Sequence, residues 1–217
     1  MSQLPNIIPL FPLPNFVLFP SVVAPLHIFE PRYRAMVADA SRGDGLIGMT
    51  MLKGDWEQDY EGYPDTHTIG CAGRITTLAR LPDGRFNLML EGLSEFRIQR
   101  EMRDNPYRTA EVEWCHPEPA SMALSLATFA SLRDLLQRFV GSSADELWRS
   151  LVEERGLQDA ELINFICFHL DAHPIEKQTL LEAGASRANC LIDVLTFKLE
   201  ERKLGAGRTR GGSGPLQ

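Results

Sequence analysis

Basic residues are missing from the start of this chain: the first Lys or Arg is Arg32. The positively charged opening of a secretory leader is therefore not present. Long apolar runs are missing too, because proline breaks each one before it reaches the roughly 18 to 20 residues that cross a bilayer. Cysteine is sparse. Cys71, Cys115, Cys167 and Cys190 are widely spaced and form no Cys-x-x-Cys pair, which argues against a disulfide framework. Positive charge is in deficit: 22 Lys and Arg against 29 Asp and Glu leave a formal net charge of -7. That balance disfavours a polyanion, whose binding rests on Lys and Arg neutralising phosphates. No G-x-x-x-x-G-K-S/T loop is present, so the backbone cradle for nucleotide phosphates is lacking. These absences predict a reduced, cytoplasmic protein with no membrane and no nucleic-acid partner.

What the chain does have is an apolar run punctuated by proline. Between Pro9 and Val37, proline recurs at 12, 14, 20, 25 and 31 among Leu, Phe, Val and Ile. Each proline removes a backbone donor and pushes the preceding residue toward extended conformations. Short extended pieces joined by rigid corners are predicted, most of their Phe and Leu lying in the core. A helix then opens at Pro31, with Tyr33, Met36, Val37 and Ala40 on one face.

This run is followed by Ile69-Gly70-Cys71-Ala72-Gly73-Arg74-Ile75 and Leu81-Pro82-Asp83-Gly84-Arg85-Phe86-Asn87-Leu88. Further on stand Glu91-Gly92-Leu93-Ser94-Glu95-Phe96-Arg97-Ile98 and the segment from Pro106 to Trp114. In order and spacing these motifs closely resemble the Lon protease N-terminal, substrate-binding domain family. The resemblance spans most of residues 7 to 204 and is weaker after Pro117. It implies an α+β fold, a β-rich PUA-like pseudo-barrel followed by a helical bundle. It also implies the stand-alone bacterial form, since the chain stops before the ATPase and Ser–Lys peptidase regions of full Lon proteases.

The residue patterns read the same way. Phe86, Leu88 and Leu90 alternate with Asn87, Met89 and Glu91, and Ala110, Val112 and Trp114 with Glu111 and Glu113, which suits strands with one buried face. Residues 45–52 and 68–81 read as further strands. Pro82 and Gly84 mark a turn, and Gly92 is expected to turn a second corner. Residues 53–66 read as an exposed loop carrying Trp56, Tyr60 and Tyr63. At His116-Pro117-Glu118-Pro119 the period changes from 2 to 3.6. Domains are therefore expected at 1–116 and 117–204, with a Gly/Ser-rich disordered tail at 205–217.

In the second part, Met122, Leu126, Phe129, Leu132, Leu136 and Val140 are predicted to form one helical stripe ended by Gly141. Ser143 to Glu146 has the form of a capping box. Asp159 can cap a helix that is apolar nearly all round, which places it at the centre of the bundle.

No constellation foretells catalysis, and no catalytic residue, metal or cofactor is assigned. Cys167, His169 and His173 lack the converging ligands that zinc requires. Cys71 near His67 reads as a packed strand residue rather than a nucleophile beside its base. The candidate partner-binding residues are Glu30, Arg32, Tyr33 and Arg34 at the start of the first helix, with Trp56 and Tyr60 in the loop. Arg and Tyr are enriched among interface anchors. The function expected is non-catalytic binding of unfolded polypeptide or of a partner protein, such as a member of a protease system, through an apolar cleft between barrel and bundle. The competing reading is RNA binding, because PUA-like folds include RNA binders.

Overall fold

The structure, a computed structural model, describes residues 4–59, 62–115, 124–157 and 159–210. Contacts within it divide the chain into two compact units, Met1–Glu118 with Asn164–Glu182, and Pro119–Ile163 with Ala183–Gln217.

The first unit is built on six strands: β1 (Ile7–Leu13), β2 (Val23–Ile28), β3 (Leu46–Met51), β4 (Ile69–Arg80), β5 (Phe86–Met102) and β6 (Thr109–Cys115). They are ordered β2-β5-β4-β3-β1-β6, and β6 also pairs with β5. Strands β1, β3, β4, β5 and β6 thus form a closed ring, the pseudo-barrel that the resemblance implies. Only β1 and β3 run parallel; the other pairs are antiparallel. The length of β5 makes this possible. Its first residues, Phe86 to Glu91, pair with β2, and its last, Glu95 to Met102, pair with β6. Closure leaves β2 as an edge, and an edge strand needs protection against pairing with other chains. The Gly92 amide donates to the Val22 carbonyl, which sets the ladder so that position 25 faces away from β5. Pro25 therefore stands where no amide is needed.

Ile8, Leu10, Ala72, Phe96, Ala110 and Val112 form the barrel core. Phe96 fills its centre, and the strands beside it are bare. A Cβ on Gly48 would lie 2.8 Å from the Ile8 side chain, and one on Gly70 would meet the Met49 carbonyl and the Phe96 ring. The proline-spaced segment is core as expected: Leu10, Phe11, Val17, Leu18 and Phe19 are all buried. Phe29 is the exception, 59% exposed. Helix α1 (Pro31–Ala40) has Pro31 in its first turn and buries Tyr33, Met36, Val37 and Ala40, the predicted face.

Gly92 does not turn a corner. Strand β5 runs through it, and the partners of β4 step from Ser94 to Gly92, leaving Leu93 in a bulge. A Cβ at Gly92 would strike the Phe19 carbonyl. The glycine serves a close backbone approach, which leaves the same mark in a sequence as a turn.

Among the remaining helices, α2 (Leu126–Val140) is capped by Ser125, whose Oγ accepts the Thr128 amide at 3.0 Å, and ends at Gly141 with φ of 78°. Its buried residues are Leu132, Leu135 and Leu136. The predicted stripe was therefore too long: Leu126 is 91% exposed and Val140 is also exposed, while Met122 lies outside the described residues. The capping box is absent as well. Ser143 is helical, accepts no cap hydrogen bond and belongs to a 3-10 turn that leads into α3 (Ala144–Trp148). Helix α3 continues into a π turn at Arg149–Glu154 that buries Leu151. The second unit closes with α6 (Arg187–Arg210), which buries Leu191, Leu195 and Leu199.

Two further expectations change. Helix α4 (Asp159–His169) is apolar all round, but from Asn164 onward it groups with the strands, as does α5 (Pro174–Glu182). The helical part is thus not one bundle from 117 to 204. An apolar circumference shows that a helix is surrounded, not by what. The last helix also runs through Gly205 and Gly207 to Arg210, because glycine weakens a propagating helix without ending it. Residues 211–217 and the 116–119 boundary lie outside the described residues. Among the described residues no helix is long and apolar enough to cross a membrane.

Candidate partner-binding surfaces

The start of α1 is ordered by its own charges. Glu30, in extended conformation, accepts from Arg32 Nε at 3.0 Å and from its Nη2 at 2.9 Å. The Arg32 guanidinium lies 4.7 Å from the centre of the Tyr33 ring. Tyr33 is 4% exposed and packs on Phe11 at 4.4 Å, so it is a core residue showing one edge.

Residues from the β5–β6 connection complete a pocket of about 120 Å3, in which Arg32 and Tyr33 are joined by Tyr63, Pro106, Tyr107 and Arg108. Arg108 is buried and donates to Glu101 at 3.2 Å. The Tyr63 ring receives Arg103 at 4.2 Å and Arg108 at 5.0 Å. The Tyr107 hydroxyl donates to Asp39 at 2.8 Å. Burial, with that carboxylate beside it, pushes the Tyr107 phenol up to about 12. The wall is one of aromatic faces and guanidinium donors, suited to hold a planar or anionic group.

Of the predicted set, then, Arg32 and Tyr33 share this pocket and Glu30 orients Arg32. Arg34 points elsewhere, over the turn between β4 and β5. Trp56 sits half-buried in a 3-10 turn (Trp56–Asp59) and is not among the lining residues. Tyr60 lies outside the described residues. Sequence reading missed Tyr107 and Arg108 as site residues, although the Pro106-Tyr107-Arg108 string was visible.

A second concavity lies on the outer face of the sheet where β2, β5 and β4 run side by side. It measures about 340 Å3, and Pro25, Leu26, Ala79, Leu88 and Met89 make it largely apolar. Its rim is ordered by His27, whose Nδ1 donates to Asn87 Oδ1 at 2.6 Å while Arg85 donates to its Nε2 at 3.3 Å. Phe29 stacks on His27 at 6.1 Å and Leu78 is exposed on the neighbouring strand.

The side chains weighed for chemistry are engaged otherwise. His67 pairs with Glu182 at 3.0 Å, while Cys71 is fully buried with its Sγ 3.7 Å from the Ala72 carbonyl. His169 stacks on Phe165 and Phe168, and His173 accepts the Ile175 amide. Burial raises the Cys115 and Cys190 thiols, which lowers their thiolate fraction. Among the described residues no three His, Cys, Asp or Glu side chains are placed to hold a metal ion.

Comparison with known proteins gives a consistent result. The family model of the ATP-dependent protease La (LON) substrate-binding domain matches residues 7–196. Lon protease 2 of Myxococcus xanthus is 28% identical over 207 residues, covering 94% of this chain and 25% of that protein. Lon protease 2 of Desulfotalea psychrophila is 30% identical over 209 residues, covering 92% of this chain and 26% of that protein. The chain thus spans about a quarter of the length of these relatives. The crystal structure of a Lon N-terminal domain protein from Xanthomonas campestris superposes with a TM-score of 0.63 at 26% identity, covering 88% of this chain and 97% of that one. The N-terminal domain of Mycobacterium avium complex Lon protease shares the fold, with a TM-score of 0.65 at 17% identity, covering 88% and 98%.

Proposed function

The chain belongs to the substrate-binding domain family of the ATP-dependent protease La (LON), and on that premise we propose that it binds segments of other polypeptides without cleaving them. Family membership supports a substrate-recognition role, and the match over residues 7–196 carries the reading. The apolar surface that suits it lies within the first unit, on the outer face of β2, β5 and β4. There Pro25, Leu26 and Met89 line a groove of about 340 Å3, and Phe29, just after β2, is exposed. An unfolded chain presents apolar side chains that a folded one hides. Covering each is worth roughly 1.5–3 kcal/mol at full burial, and the polar rim of His27, Thr77 and Asn87 offers orientation. Glu30, Arg32, Tyr33 and Arg34, at the start of α1 and outside this groove, are further proposed contacts on the strength of their chemistry. Trp56 and Tyr60 remain proposed contributors from the loop.

The test is binding of fluorescein-labelled peptides by anisotropy. Apolar-rich peptides should bind in preference to polar ones of equal length. Met89→Asp should weaken them about tenfold or more, the loss of one covered side chain. Equal binding of polar and apolar peptides, or none of either at high protein concentration, would remove the reading.

A further inference from the structure

Behind the same sheet, α1 and the β4–β5 turn enclose another pocket, of about 390 Å3. Its lining is divided by chemistry. Pro31, Ala35, Ala38 and Phe86 supply apolar surface, and Arg34 and Arg80 supply the only charges. Arg34 is half-buried on α1, and its guanidinium lies against the backbone of Gly84. A side chain at that position would collide with it, and Gly84 also adopts φ of +82°. The turn itself is fixed: Gly84 donates to the Leu81 carbonyl at 2.9 Å, and Leu81 to the Arg85 carbonyl at 2.8 Å.

The arginines around this pocket differ in one respect. Arg32 is paired with Glu30, Arg85 with Asp83 and Arg42 with Asp39. Arg34 and Arg80 form no ion pair with a described carboxylate. In a chain of net charge -7, two guanidinium groups without an ion pair to a described carboxylate stand over an apolar floor. A polyanion would be repelled by the rest of the surface, whereas one carboxylate carried on an apolar segment is favoured. The guanidinium fork matches carboxylate geometry.

We propose that the Arg34–Arg80 pocket selects an acidic side chain, Asp or Glu, that lies next to an apolar residue in the bound polypeptide. This rests on the polypeptide-binding reading above and names its substrate class.

The test uses the full chain and two labelled, amidated peptides, identical except that one glutamate beside a leucine is replaced by glutamine. The glutamate peptide should bind about tenfold tighter at low salt, as expected for charge-assisted hydrogen bonds. In the Arg34→Gln/Arg80→Gln variant the two peptides should bind alike. Circular dichroism checks that the variant is folded, and Arg80→Gln alone, at an exposed site, should remove part of the preference. Equal binding of both peptides to wild type would overturn the proposal and leave peptide recognition standing. Preference for glutamate that survives in the double variant, or that appears only with a free carboxyl terminus, would also overturn it. Binding of neither peptide would remove both readings.

Discussion

Tyr107 shows how one hydrogen bond ties the candidate surface to the core. Its hydroxyl comes from the β5–β6 connection and reaches Asp39 on α1. Burial and the carboxylate both favour the neutral phenol, raising it from the usual 10 to about 12. A group whose folded value is raised contributes stability fully below its unfolded value. Here that contribution is intact below about pH 10 and is lost as pH rises through about 12. Tyrosinate absorbance at 295 nm should therefore show a late-titrating phenol, and Tyr107→Phe should abolish that phase. If the variant retains it, the late phase belongs to another tyrosine and the Tyr107 phenol is not raised. Arg32 and Arg34, two residues apart on the same helix, divide equally plainly. One is orientated by Glu30 at an aromatic pocket, and the other rests on a turn glycine without a carboxylate.

At the level of elements, α5 meets the barrel through a buried amide. Gln178 is 1% exposed, and its Nε2 donates to the Ile69 carbonyl at 2.9 Å and to Glu182 at 2.8 Å. Asn164 on α4 does the same for the Pro20 carbonyl at 3.1 Å. A buried acceptor left unpaired costs about 1–3 kcal/mol. Gln178→Leu should lower the unfolding free energy by about that amount, read as a lower urea midpoint, and speed amide exchange at the start of β4, without changing far-UV circular dichroism. An unchanged midpoint would mean that the Ile69 carbonyl finds another partner. These docking contacts also explain what the sequence could reveal. The face of α1 was legible because Tyr33, Met36, Val37 and Ala40 recur at helical spacing. The β4–β5 turn was legible because Pro82 and Gly84 have distinct torsional roles. Gly92 was misread because a bulge and a turn both require a residue without a side chain. The stripe of α2 was overextended because periodicity reports which side chains share a face, not where along the helix a partner ends. Arg32 and Tyr33 were singled out because Arg and Tyr stood together at a helix start, and they line one pocket. Tyr107 and Arg108 were missed as their partners because they lie about seventy residues away along the chain, joined only by strand pairing.

For the molecule as a whole, charge decides between the two binding readings. A net charge of -7 opposes a phosphate backbone. Single-stranded RNA mixed with the protein at low salt should pass a nitrocellulose filter. Retention that declines steeply with added salt would instead favour RNA as the ligand. The relatives carry a corresponding region in about a quarter of their length. The architecture also restricts how such a surface can diversify. One unbroken strand, β5, serves as wall of the barrel at one end and floor of the outer groove at the other. Inserting or deleting a single residue near its beginning would exchange inward and outward side chains across the groove while the ring stayed intact. Descendants of this fold must therefore retune their specificity by replacing residues in place, with changes in length confined to the connections.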